Sequence, residues 1–99
     1  MNSALEVAPH DDEFQRVVSE VLRQVEAFFR RCIEAGQKDG SIGGQQSAAD
    51  MAGTLLGTLL GIRVLARTRP ERSLLEGMIR PVFAMLEPQS KQKMAAAFA

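Results

Sequence analysis

His10 is the only histidine of the chain, and it stands directly before Asp11, Asp12 and Glu13. An imidazole among carboxylates has the donor types for a divalent cation or an acid and base pair. Neighbours in one short stretch do not converge on one ion, however, because a site needs ligands fixed by several elements. The same run suits the start of a helix, where acids complement the positive end and accept unpaired amide hydrogens. Cys32 is the lone thiol, which excludes an internal disulfide framework and a thiolate zinc site. Beside Phe28 and Phe29 on an apolar stripe it reads as a small hydrophobe and not as a nucleophile. Arg63, Arg67, Arg69 and Arg72 form a basic cluster with the chemistry to hold phosphate. Bases near a helix end also complement its negative pole, and no aromatic side chain interleaves with these four. The glycine-rich stretch 40–44 is no phosphate loop, since Lys38 precedes it and no strand leads into it. With no base, nucleophile or metal set left, the sequence reads as a protein that is not an enzyme and takes no cofactor.

The elements that would position these residues are helices. Phe14, Val18, Val21, Leu22, Val25, Phe28, Phe29, Cys32 and Ile33 recur at helical steps, and Arg16, Glu20, Arg23, Glu26 and Arg30 fall between them. This predicts an amphipathic helix about 40 Å long, ending in 36–40, where Gly36 and Gly40 permit left-handed backbone angles. A loop over 41–46 follows. Ser47, with Asp50 three residues on, predicts a hydroxyl cap and a second helix to about Thr68. Pro70 then suits the first position of a third helix. Leu75, Ile79, Val82 and Leu86 form its inner stripe, flanked by Leu74, Met78 and Met85. Pro81 should kink this helix without ending it, given the unbroken apolar pattern, and Pro88 should end it. The expected fold class is all-α, an antiparallel domain of three main helices over 1–88 with a polar and alanine-rich tail over 89–99.

Twelve basic and 12 acidic side chains give zero formal charge, so the chain as a whole does not attract nucleic acid or anionic lipid. Residues 1–50 carry nine acids and five bases, whereas 51–99 carry three and seven. The two halves attract each other at long range. The most apolar stretch, 51–66, is shorter than the roughly 20 residues of a spanning helix, and no basic segment leads into an apolar run at the start. A cytoplasmic protein without a membrane segment is expected. A chain of 99 residues buries only about 60 to 65% of its unfolded surface alone, so a partner surface would help it.

Gly53, Gly57 and Gly61 lie four apart in the second helix, at a cost of about 1 kcal/mol each relative to alanine. Small residues on one face let another helix approach closely, with Leu55, Leu56, Leu59, Leu60 and Val64 around the contact. That contact lies either inside one subunit or across a dimer. Phe14, Phe28, Phe29, Met51 and Leu55 either line part of a pocket for a small apolar effector or simply form core.

The order of elements resembles the regulatory domain of TetR-family transcriptional repressors. The carrying residues are Asn2-Ser3-Ala4-Leu5-Glu6, Ala35-Gly36-Gln37, Gly40-Ser41-Ile42, Ala52 and Gly61-Ile62-Arg63-Val64-Leu65-Ala66-Arg67. The resemblance implies a ligand-binding and dimerisation domain whose last two helices pair with a second copy as a four-helix bundle. It places Gly53, Leu56, Gly57, Leu60, Gly61, Val64, Leu75, Met78, Ile79, Val82 and Leu86 at a homodimer interface. DNA would be read through a helix-turn-helix domain, and this sequence has no such segment. A free-standing helical adaptor that pairs with another helical protein is the rival reading.

Overall fold

The computed structural model describes residues 12–88, which form three α-helices: α1 Asp12–Asp39, α2 Ala48–Thr68 and α3 Arg72–Leu86. No strand occurs among them. His10, Asp11, the residues 2–6 of the resemblance and the tail 89–99 lie outside the described residues.

α1 packs against α2, and α2 against α3, so that the three helices lie side by side in a single layer. The chain measures 54 × 31 × 13 Å along its principal axes, and a helix with its side chains is about 10 to 12 Å across. One layer has no second layer to bury its faces against. The buried hydrophobic residues are accordingly few: Ile33 on α1, Met51 and Ala52 on α2, and Val82 on α3. Phe29, Ile42, Ala48, Leu55, Met85 and Leu86 pack half-buried around Ile33, Met51 and Ala52. No side chain polar atom is buried without a partner among the described residues.

α1 ends within 36–40, as expected from the sequence. Its last residue is Asp39, and the left-handed residue is Gly40, at φ +87°. Gly36 is a packing position: the Ile42 side chain lies against it, and the Ile42 amide donates to the Gly36 carbonyl at 3.0 Å. Gln37 holds the loop that follows. Its Nε2 donates to the carbonyls of Gly43 at 2.9 Å and Gln46 at 2.8 Å. The Gly43 amide in turn donates to the Leu86 carbonyl at 3.3 Å, tying this loop to the end of α3.

Ser47 caps α2, accepting at Oγ from the Asp50 amide at 3.0 Å. The start of α3 differs from the expectation. Pro70 lies before the helix, at the centre of a three-residue turn in which the Glu71 amide donates to the Arg69 carbonyl at 2.7 Å. The Arg69 and Glu71 side chains pair across this turn at 3.2 Å, and Glu71 becomes the residue that precedes the helix. α3 runs unbroken past Pro81.

Candidate functional site

Three helices side by side present two faces, and α2 shows apolar residues on both. At 3.6 residues per turn, Leu55, Leu59 and Ile62 share one arc of α2, and Gly53, Gly57, Leu60 and Val64 share the arc roughly opposite. On the first face, Leu55, Thr58, Leu59 and Ile62 of α2 join Phe29 of α1 and Ile79, Val82 and Phe83 of α3 around a groove of about 250 Å³. None of the lining residues is charged, and Thr58 is the only one with a polar side chain. Phe83 stands at its rim, 65% exposed. Phe28 adjoins the groove, its ring centroid 6.2 Å from that of Phe29 with the planes tilted by 53°. An apolar ridge continues along α1 from there through Val21, Val18 and Phe14, all exposed.

The five residues expected to line an effector pocket are not brought together. Phe29 and Leu55 share the groove. Met51 is sealed in the core at 1% exposure and faces no opening, while Phe14, 68% exposed, lies on the part of α1 where residues 12–21 are exposed without a break. Phe28 stands outside the groove lining. Cys32, expected on a covered stripe, is exposed. The reason is common to these positions: α1 turns the arc of Leu22, Phe29 and Ile33 toward α2, and the arc of Phe14, Val21, Phe28 and Cys32 points away.

The residues expected at a dimer interface divide between the two faces. A Cβ added at Gly53 or Gly57 would meet nothing within 4 Å, so these two glycines serve no contact inside the subunit. Gly61 differs, since a Cβ there would lie 3.1 Å from Met78 Cε. Leu60 and Val64 are exposed beside the open glycines. Leu56 turns toward α1, sharing a shallow depression with Val18 and Leu22. Ile79 and Val82 belong to the groove face, and Leu75 and Leu86 are half-buried. The sequence places Leu59 only beside the glycine contact, and Ile62 and Phe83 at neither the expected pocket nor the expected interface. The first two follow Leu55 at helical steps, whereas Phe83, four residues after Ile79, lies off the inner stripe of α3.

Two of the four clustered arginines are engaged locally, Arg69 with Glu71 at 3.2 Å and Arg72 with Glu76 at 2.6 Å. Arg63 and Arg67 are exposed on α2. No group of three or more His, Cys, Asp or Glu able to hold a metal ion occurs among the described residues. α2, at 21 residues and a mean hydropathy of 1.4, is long and apolar enough to cross a membrane by length and composition, with 17% of that stretch buried. The helix thus exceeds the apolar stretch 51–66 because Ala48, Ala49 and the residues through Thr68 extend it at both ends.

The chain matches no protein-family model, no curated protein and no solved structure.

Proposed function

We propose that this chain is the regulatory and dimerisation module of a TetR-like transcriptional repressor, a cytoplasmic homodimer that responds to a small apolar effector and is not an enzyme. In this reading α2 and α3 pair with their copies as a four-helix bundle. Operator contact belongs to a helix-turn-helix domain and not to residues 12–88.

The observation that carries the reading is the single layer of helices. Among the described residues four hydrophobic side chains are buried, one of them alanine, which are too few to hold three helices against the entropy of ordering them. A second copy laid on the first supplies the missing layer. The open glycines at 53 and 57 support the same reading, because about 1 kcal/mol at each position is offset by nothing inside the subunit. The groove with Phe29 and Leu55 supports the effector part, since its lining suits a neutral apolar molecule.

Light scattering after size exclusion tests the core of the proposal. At micromolar concentration the expected mass is twice 10.8 kDa. A monomeric mass would remove the dimer and with it the bundle.

A further inference from the structure

α2 is the middle helix of the layer, packed by α1 and by α3, so a copy seated on its free arc lies over the whole layer. That arc holds more than Gly53, Gly57, Leu60 and Val64. At about 100° per residue, Asp50 falls at one edge of it and Arg67 at the other, each about 50° from the middle. Both are exposed, and neither has an ion-pair partner among the described residues. Arg69 and Arg72, by contrast, are held by Glu71 and Glu76.

The order of these residues along the helix is self-complementary. Gly57 and Leu60, Gly53 and Val64, and Asp50 and Arg67 are each centred on the same point, between Thr58 and Leu59. A two-fold axis through that point and perpendicular to the helix turns α2 end for end. Each residue of one copy then faces the residue equally far beyond the point on the other. The exposed Leu60 meets the space above Gly57 of the second copy, where an added Cβ would find nothing within 4 Å, and the exposed Val64 meets the same open space at Gly53. Arg67 meets Asp50, about 13 Å from the axis at either end. A parallel pair has the opposite character, since it sets Arg67 against Arg67 and Asp50 against Asp50, and like charges in contact repel.

We infer that a second copy of this chain seats on this face with its α2 antiparallel to the first, Leu60 lying over Gly57 and an Arg67–Asp50 ion pair closing each end. The inference rests on the homodimer reading and adds its direction and its contacts. Crossing helices are closest at the axis and separate away from it. Gly57, the nearer glycine, is therefore the one that cannot take a large side chain, while Gly53, about 8 Å along the helix from the axis, keeps room for a methyl group. The groove of Phe29 and Leu55 lies on the opposite arc and stays open to an effector.

Sedimentation equilibrium reads the dimer constant of the chain and of its charge variants. Arg67→Glu and, separately, Asp50→Arg should each weaken association by roughly tenfold, and the double variant with both changes should recover most of that loss. Within one copy the two side chains stand about 25 Å apart, beyond the reach of screened charges. Each reversal also opposes the pole of its own helix, so recovery in the double variant reports a contact between copies. Gly57→Leu should abolish association and keep the helical circular dichroism, since nothing inside the copy stands near that position. A dimer strengthened by a single reversal would be parallel, and one indifferent to all three charge variants would use another face or direction. Either result overturns the inference and leaves the dimer standing. A chain monomeric at every concentration overturns the dimer reading as well, and if it then binds phosphatidylserine vesicles through Arg67 the face belongs to a lipid surface.

Discussion

Ile42 lies across Gly36 so closely that a Cβ added to the glycine would come within 2.5 Å of Ile42 Cδ1 and 2.6 Å of Cγ1. The contact fastens the loop after α1 to the helix itself and closes one end of the core cluster, where Ile42 packs near Ile33 and Met51. The glycine is needed for room and not for a special backbone angle, since among the described residues only Gly40 has positive φ. Gly36→Ala should therefore destabilise the protein by about 1 to 3 kcal/mol despite alanine's better helix propensity. Gly53→Ala is the control, because the space there is open. It should raise stability by up to about 1 kcal/mol. Thermal melts of the two variants with opposite signs are the expected result, and a stabilising Gly36→Ala would mean that Ile42 moves aside freely.

These two glycines also show what the sequence could convey. Helical spacing of apolar residues exposes three helices plainly, and Ser47 with Asp50 marks the start of α2 because a hydroxyl cap is a local device. Gly36 misleads because its role depends on Ile42, which reaches it only after the chain has turned at Gly40. Pro70 misleads for a similar reason: a proline fits a first helical turn and a three-residue turn equally, and the Arg69 and Glu71 pair forms only in the second. Phe28 and Phe29 are neighbours on one apolar stripe, and spacing alone does not tell that α2 covers Phe29 and leaves Phe28 outside. The groove needs three helices in register, so Leu59, Ile62 and Phe83 acquire a shared meaning only in the fold.

Gln37 is the side chain on which the 41–47 loop depends. One amide group donates to two carbonyls, those of Gly43 and Gln46, and Gly43 is itself buried and bonded to the end of α3. Gln37→Ala should cost about 1 to 3 kcal/mol, since two carbonyls lose a donor and one lies at a buried residue. Gln37→Glu should be at least as harmful, because a carboxylate has no hydrogen to donate. Hydrogen exchange should locate the change in residues 41–47 and at the end of α3. Uniform protection in the variant would show that the loop is held by Ile42 alone.

Asp39 titrates below the ordinary carboxylate range. The Ser41 hydroxyl donating at 2.7 Å is the larger cause and the Ser41 amide donating at 2.9 Å the second. A folded-state pKa held below the unfolded one means that the stabilisation is present above the unfolded value, about 3.9, and is lost as pH falls through the folded value. The turn after α1 should loosen only in acid. Carbon-detected NMR titration should place the Asp39 midpoint below its unfolded value, and Ser41→Ala should move it partly back while the amide bond remains. An Asp39 midpoint unchanged by Ser41→Ala would assign the depression to another cause.

Met51 is the largest fully buried side chain among the described residues, at 1% exposure, and it shares the core cluster with Ile33 and Ala52 under the half-buried Phe29 and Leu55. Because the layer buries so few hydrophobic residues, each carries a large share of the stability. Met51→Ala should cost about 2 to 5 kcal/mol through lost burial and the cavity left behind. The same truncation at Val17, which is 54% exposed, should change stability by less than about 0.5 kcal/mol in the monomer. In a dimer the two kinds of contact separate by mass action, since the melting temperature then rises with protein concentration. Met51→Ala should lower the melting temperature at every concentration and keep that rise, because it removes core inside one copy. A substitution that breaks the contact between copies should abolish the rise and leave the melt of the dilute protein nearly unchanged. Calorimetry over a hundredfold range of concentration reads both effects, and a Met51→Ala protein that melts with the parent would show that the space beneath Phe29 and Leu55 closes without it.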